Sequence, residues 1–131
     1  MSPPSALSTI HSPMSQLVSG LRATLGHENV LSAPSELAVY DCDALTIERH
    51  RPDAVVLPRT TQQVADAVKL CGRYGVSIVA RGAGTSLAGG CLPLGGGVVV
   101  MLTRMNKILK IDRRNRMAVV EAGVPNLWLT Q

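Results

Sequence analysis

The apolar residues of this chain recur in two patterns, one with helical spacing and one made of short continuous runs. The first helical pattern predicts a helix from Ser15 to Leu25, which ends at Gly26. Residues 1–13 are predicted to be a flexible leader, so that residues 1–34 form a leader and an N-terminal helix. The apolar face of this helix consists of Leu17, Val18, Leu21 and Leu25.

A second helix is predicted directly after Thr60. Thr60 and Gln63 have the spacing of a capping box, in which the two side chains bind backbone N–H groups at the start of a helix. Gly72 and Gly75 predict where this helix ends. We expect its buried stripe to consist of Val64, Val68 and Cys71.

Short apolar runs on both sides of the second helix predict buried strands. The run 54–57 stops at Pro58, and the run 76–80 leads into a glycine-rich segment. Strand, helix and strand in this order predict a βαβ unit with a parallel pair. The run 98–102 predicts a further strand, and residues 108–111 and 117–121 predict an antiparallel hairpin. Gly123 then breaks the strand, and Pro125 is placed to begin a helix.

The composition is that of a packed globular domain. Hydrophobic residues make up 46% of the chain, charged residues make up 17%, and phenylalanine is absent. The net charge of +4 has its densest cluster in the predicted hairpin, where no aromatic side chain accompanies it, and this argues against a nucleic-acid interface. We predict a solvated rim, with contact to an anionic partner subunit or membrane surface as the alternative. The cluster consists of Lys107, Lys110, Arg113, Arg114 and Arg116.

The cysteines and the N-terminus predict a reducing, cytoplasmic compartment. Cys42, Cys71 and Cys91 are odd in number and have no metal-ligand spacing, and residues 1–13 lack the features of a signal peptide. The uncharged stretch 82–103 is long enough to span a bilayer. Its glycines and Pro93 would leave backbone groups unpaired in lipid, so we predict no transmembrane segment.

The glycine-rich segment 81–90 carries most of the information about function. Glycines tolerate positive φ and let a ligand approach the backbone, and consecutive N–H groups can form a nest that binds an anion, most often a phosphate. Arg81 adds a positive side chain. The segment is not a Walker motif, because no Gly-Lys-Ser/Thr follows, and it is not the dinucleotide fingerprint, because Leu87 replaces the third glycine.

Three blocks in order carry a resemblance to a known family: the strand ending at Pro58 with its capped helix, the loop 81–90, and the segment 119–124. Together they resemble the flavin-binding domain of the vanillyl-alcohol oxidase-like (PCMH-type) FAD-linked oxidases, in the branch that holds the flavin-binding chain of glycolate oxidase and D-lactate dehydrogenase. Residues 40–45 also resemble the segment that precedes this domain. The resemblance covers residues 35–131 and implies an α+β fold of two small subdomains with FAD extended between them.

The resemblance also implies roles for individual residues. Pro58 would lie near the adenosine half of FAD, although a plain strand terminator is the alternative for this residue. Gly90 and Gly123 would line the groove, with a plain turn glycine as the alternative for Gly123. Covalent branches of the family have a histidine where this chain has Thr85, so the FAD is expected to be bound non-covalently. The N–H groups expected to hold the pyrophosphate are those of Arg81, Gly82, Ala83, Gly84, Thr85 and Ser86.

No catalytic or metal-binding residue can be assigned from this sequence. No motif supports a catalytic role for Asp41, Asp43, Glu48 or Asp53, and we expect His11, His27 and His50 to be surface histidines. The pattern after Pro125 stops at Gln131 with Trp128 and Leu129 unburied, which predicts a truncated protein.

The implied function of the full-length protein is FAD-dependent oxidation of a 2-hydroxy acid such as glycolate or D-lactate, with electrons passing to a quinone or a partner subunit. The implied location is the cytoplasm, with peripheral contact to the inner membrane through partner subunits. The fragment alone is expected to be inactive. One alternative is a stand-alone binding module or an inactive remnant, and another is a phosphate-binding domain unrelated to flavin.

Overall fold

The computed structural model describes residues 12–130. Within these residues, two long helices accompany six strands, and short helical turns lie between them. The predicted leader falls mostly outside the described residues, and its last residue, Pro13, is already helical. The elements are α1 (Pro13–Leu25), β1 (Val30–Leu31), α2 (Pro34–Leu37), β2 (Ala54–Val56), α3 (Thr61–Arg73), β3 (Ile78–Arg81), β4 (Val98–Met101), β5 (Ile108–Asp112) and β6 (Met117–Val120).

Helix α1 begins and ends where local chemistry dictates. The Oγ of Ser12 accepts a hydrogen bond from the backbone N–H of Ser15 at 3.2 Å, which caps the first turn. Gly26 ends the helix with φ of +94°, a conformation that favours glycine. The apolar face predicted for this helix is confirmed, because all four of its leucine and valine side chains are buried.

Strands β1 to β4 form a four-stranded sheet in the order β1-β2-β4-β3. Strands β2 and β3 both run parallel to β4, and β1 is antiparallel to β2. The predicted βαβ unit is therefore present, but its two strands are not neighbours, because β4 lies between them. The valines of β4 are buried on both faces of the sheet, which is the pattern of a central parallel strand.

The main core lies between the sheet and the two long helices. Helix α3 contributes Ala67 and Cys71, and Val64 packs against the edge of this core. The predicted burial of Val68 is wrong: its side chain is 39% exposed, because the helix presents the adjacent, smaller Ala67 to α1 and the sheet. On the opposite face of the sheet, Leu37 covers a smaller cluster.

Strands β5 and β6 form a separate two-stranded antiparallel sheet, as predicted. The carboxylate of Asp112 accepts hydrogen bonds from the backbone N–H of Asn115 at 3.0 Å and from its side chain at 2.8 Å. These bonds fix the turn and lower the pKa of Asp112. The basic residues of the predicted rim are all exposed. The predicted α+β fold class, a βαβ unit followed by an antiparallel hairpin, is confirmed.

The predicted helix after Pro125 is a short 3₁₀ turn, Asn126–Leu129, and Pro125 precedes it instead of forming its first residue. Its apolar side chains, which include Trp128, remain largely exposed. A segment of four residues is too short to form a stable α-helix unless its apolar side chains pack against other parts of the protein. Among residues 12–130, no helix is long and apolar enough to cross a membrane.

Candidate functional site

The glycine-rich loop begins at the carboxyl end of edge strand β3 and leads to the central strand β4. Arg81 is the last residue of β3, and it pairs with Met101 of β4. The carboxyl ends of β2, β3 and β4 lie at the same edge of the sheet, since these strands are parallel. This edge is where open sheets with parallel strands bind their ligands.

The loop presents unpaired hydrogen-bond donors at the surface. Within the described residues, the backbone N–H groups of 82–87 donate no hydrogen bond. The next backbone N–H, that of Ala88, donates a hydrogen bond to the Oγ of Ser86 at 3.2 Å. Gly82, Ala83, Thr85 and Ser86 are exposed. Such a row of free donors satisfies its hydrogen-bonding capacity with water or with an anionic ligand.

The backbone of Arg81 faces the sheet and not the loop. Its carbonyl accepts a hydrogen bond from the N–H of Leu102 at 2.9 Å, and the N–H and C=O of one strand residue point to the same side. The donors available to a ligand therefore begin at Gly82. The Arg81 side chain, which is 6% exposed, is folded beneath the loop.

Position 84 has no room for a side chain. Its φ is +73°, and a methyl group added there would lie 2.6 Å from Cζ of Arg81. The guanidinium therefore packs directly against the backbone of Gly84. A larger residue at this position would have to displace a buried charged group as well as adopt a strained backbone.

The far end of the loop is held by Asp43, a residue to which no sequence motif assigns a role. The Asp43 carboxylate is buried and accepts hydrogen bonds from the backbone N–H of Gly89 at 2.8 Å and of Leu45 at 2.9 Å. Next to it, the N–H of Ala44 binds the carbonyl of Ser86 at 3.1 Å. The signal that could have found Asp43 is the resemblance of residues 40–45 to the segment before the domain.

A cleft of about 590 Å³ joins the loop to the end of the described chain. Gly82, Ala83 and Thr85 line one side, and residues 122–128 line the other. Gly123 lies in this second wall, with its N–H bound to the carbonyl of Met105 at 2.8 Å. A methyl group on Gly123 would lie 2.9 Å from the same carbonyl oxygen, so its glycine identity has a packing cause.

The remaining predicted residues are more scattered. Pro58 is fully buried just after β2, at the same edge of the sheet as the loop. Gly90 is exposed but does not line the cleft. His27 is exposed, and the Nε2 of His50 lies 3.5 Å from a carboxylate oxygen of Glu48. His11 lies outside the described residues.

The three cysteines are free, and burial raises the pKa of the Cys71 thiol. In the described part of the chain, no group of three His, Cys, Asp or Glu side chains could hold a metal ion.

Comparison with known proteins agrees with this geometry. Residues 52–131 match the family described as FAD binding domain. Glycolate oxidase subunit GlcD of Escherichia coli is 43% identical over 102 residues, which are 78% of this chain and 20% of that protein. D-lactate dehydrogenase of Anaerostipes hadrus is 38% identical over 89 residues, which are 68% of this chain and 17% of that protein.

A crystal structure of p-cresol methylhydroxylase with substrate bound has a similar fold. Its TM-score is 0.77 at 34% identity, and the match covers 86% of this chain and 22% of that one. The chain spans about a fifth of the length of the curated relatives it matches. The resemblance seen in the sequence is confirmed, and the chain belongs to the FAD binding domain family, whose cofactor is FAD.

Proposed function

We propose that the protein containing this chain is an FAD-dependent oxidoreductase that oxidises a 2-hydroxy acid of the glycolate or D-lactate type. The observation that carries the proposal is the row of unpaired N–H donors at 82–87, placed at the ligand-binding edge of an FAD binding domain. The choice of substrate class is supported by the similarity to a glycolate oxidase subunit and a D-lactate dehydrogenase. When bound, FAD supplies hydride acceptance.

The part of this chain in the proposed function is to bind and orient the cofactor. The N–H groups from Gly82 to Ser86 hold the diphosphate, since backbone donors to a charged acceptor form strong hydrogen bonds. Thr85 stands where the covalent branches of the family have a histidine and lacks its imidazole, so the loop binds FAD non-covalently. Gly123 and the loop shape the two walls of the cleft.

We assign Pro58 and Gly90 supporting roles in this site. Pro58 follows β2 and is fully buried, so it would lie near the adenosine half of FAD as part of the fold that supports the site. Gly90 lies at the end of the loop and outside the cleft, and among the described residues no heavy atom lies within 4 Å of a methyl group added there.

The proposed electron acceptor is a partner subunit or a quinone. The relatives include a glycolate oxidase subunit and a flavoprotein subunit of 4-cresol dehydrogenase. We place the protein in the cytoplasm, with contact to the inner membrane through its partner subunits.

Purified full-length protein tests this function. We expect it to contain FAD and to reduce an artificial electron acceptor with glycolate or D-lactate as the donor. A matched full-length Gly84→Val variant should lose both flavin and activity, because the larger side chain blocks the loop. Protein that folds without flavin and oxidises neither acid would overturn the proposal.

A second candidate function is an interaction module, favoured by exposed apolar side chains at the end of the described chain. Leu127 and Trp128 are 63% and 49% exposed, next to the half-covered cleft. Contiguous apolar surface of this kind promotes association. A soluble, concentration-dependent oligomer of residues 1–131 that does not bind FAD would favour this candidate.

A further inference from the structure

Arg81 carries a buried positive charge without a counter-ion. Within residues 12–130, Arg49 pairs with Asp41, the Nε2 of His50 lies 3.5 Å from a carboxylate oxygen of Glu48, and no carboxylate pairs with Arg81. Its Nε is buried and has no hydrogen-bond partner. The loss of hydration of the guanidinium is therefore not offset by an ion pair.

The contacts that the Arg81 guanidinium does make are weak. Its Nη1 donates to the Sγ of Cys91 at 3.5 Å, and sulfur is a poor acceptor. Its Cζ lies 5.9 Å from the centroid of the Tyr40 ring, within range of a cation–π interaction. Neither partner is an anion. Since a guanidinium does not deprotonate in proteins, this site holds an uncompensated cation.

This cation lies directly behind the middle of the loop. The guanidinium packs against Gly84, in the middle of the row of free N–H groups, and Gly84 has no side chain to separate the charge from a ligand on the outer surface. The Asp43 carboxylate, which holds the far end of the loop, has its two oxygens occupied by the N–H groups of Leu45 and Gly89. Only the backbone of the loop, which carries the free N–H donors, therefore lies between the buried cation and a ligand on the outer surface.

We propose that Arg81 is a specificity-determining residue whose guanidinium is the counter-charge for the diphosphate of bound FAD, acting through the backbone at Gly84. This rests on the proposed function, in which the N–H groups of the loop hold that diphosphate. Charges separated by several ångströms interact strongly when the space between them is protein and not water. The arrangement selects ligands that carry a diphosphate over uncharged parts of the same cofactor.

The proposal predicts opposite effects on stability and on binding. Replacement of an uncompensated buried charge by an apolar side chain of similar length tends to stabilise the free protein. Arg81→Met should therefore raise the midpoint of thermal unfolding of the unliganded chain. The same variant should bind ADP and FAD about tenfold to hundredfold more weakly, because the counter-charge is gone. A side chain with a merely structural role would lower both quantities.

The experiment compares residues 1–131 in wild-type form with three variants. Arg81→Met removes the buried charge, and Arg81→Lys keeps a positive charge, so the latter should recover part of the lost affinity. Arg49→Met removes an exposed charge, with the same change in net charge, and should bind ADP as wild type does. Thermal unfolding and calorimetric titration with ADP, with FAD and with inorganic pyrophosphate are measured for each. Pyrophosphate should compete with ADP on wild type but only weakly on Arg81→Met.

The outcomes separate this inference from the proposed function. Wild-type protein that binds neither FAD nor ADP contradicts both. If wild type binds them and Arg81→Met binds equally well, the role of Arg81 is overturned while the FAD site stands. Loss of stability together with loss of affinity in Arg81→Met, without recovery in Arg81→Lys, also overturns it.

Discussion

The carboxylate of Asp43 accepts a hydrogen bond at 2.8 Å from the backbone N–H of Gly89, across a sequence separation of 46 residues. It ties the segment before β2 to the far end of the glycine-rich loop. With β3 at the other end, the loop is fixed on both sides while its N–H groups stay free. Because the loop is already ordered at both ends, it loses less conformational entropy when a ligand binds.

The Asp43→Asn substitution should loosen the loop. The asparagine side chain has one acceptor oxygen in place of two, so the N–H of either Gly89 or Leu45 loses its hydrogen bond. A donor left unsatisfied in this way costs about 1–3 kcal/mol. We expect lower stability in urea unfolding and faster hydrogen exchange at the Gly89 amide. The control is Asp41→Asn, whose carboxylate pairs with the exposed side chain of Arg49 and should cost less than about 1 kcal/mol. Equal effects of the two variants would contradict the assigned role of Asp43.

Two glycines of the loop should respond differently to alanine. Gly84 has φ of +73° and packs on Arg81, so Gly84→Ala should destabilise the fold by about 1–3 kcal/mol. No heavy atom lies within 4 Å of a methyl group added at Gly82, and Gly82→Ala should change stability by less than about 0.5 kcal/mol.

The same pair separates folding from binding. Gly82 lines the cleft, and we expect a methyl group there to lower FAD affinity although the fold is intact. Urea unfolding and FAD titration of both variants provide the measurement. Unchanged FAD affinity in Gly82→Ala would place the ligand elsewhere.

Gly123→Ala should be more damaging than either, because the added methyl group meets backbone atoms on two sides. It would lie 2.9 Å from the carbonyl carbon of Leu102 and 2.9 Å from the carbonyl oxygen of Met105. Backbone cannot move aside as a side chain can, so we expect a loss of about 3 kcal/mol or more. Gly90→Ala, where no atom lies within 4 Å, is the control for chemical denaturation. Similar midpoints for the two variants would refute the packing explanation.

The buried thiol of Cys71 should make stability fall at alkaline pH. Burial raises its pKa from the ordinary value of 9.0, so the native state keeps its proton at a pH where the unfolded state has lost it. The stabilisation is complete below the unfolded pKa and is lost as pH rises above it, through the folded pKa. Cys71→Ala should show a shallower decline of unfolding free energy above pH 9.0 than wild type does. Parallel pH profiles would contradict this prediction.

Residues 1–131 should bind FAD no tighter than about micromolar, which corresponds to roughly 8 kcal/mol. In the proposed function the loop holds the diphosphate, whereas among residues 12–130 the cleft beside it offers one partly exposed aromatic side chain, Trp128, to the flavin ring. ADP should therefore bind almost as well as FAD in calorimetry. Nanomolar FAD binding, or FAD far stronger than ADP, would show that this chain already holds the flavin ring.

Local features of this protein were predictable from its sequence because they have local causes. The periodicity of Leu17 and Leu21 defines the buried face of α1, and Thr60 caps α3 with an Oγ bond to the N–H of Gln63 at 3.2 Å. The glycine at 84 marked the loop for the same reason that the structure needs it: a positive φ and a backbone that another group can approach closely.

Features that depend on contacts between distant segments were not predictable in this way. Strand order is a tertiary property, and the pairing of β4 with both β2 and β3 leaves no trace in the spacing of their residues. Strand β1 has only two residues, too few for a periodic pattern. The charge of Arg81 was visible in the sequence, but its side chain packs near Tyr40, which comes from a distant segment, and contacts Cys91 at the far end of the loop.

The central position of β4 determines when the first sheet can close during synthesis. In the sheet as described, β2 and β3 pair with β4 and not with each other, and both precede β4 in the chain. The hydrogen bonds that join them into one sheet can therefore form only after residues 98–101 have been synthesised. Residues 82–97, which begin with the glycine-rich loop, are the covalent link from the edge of this sheet to its centre. A nascent chain therefore cannot complete the sheet before the glycine-rich loop has been synthesised.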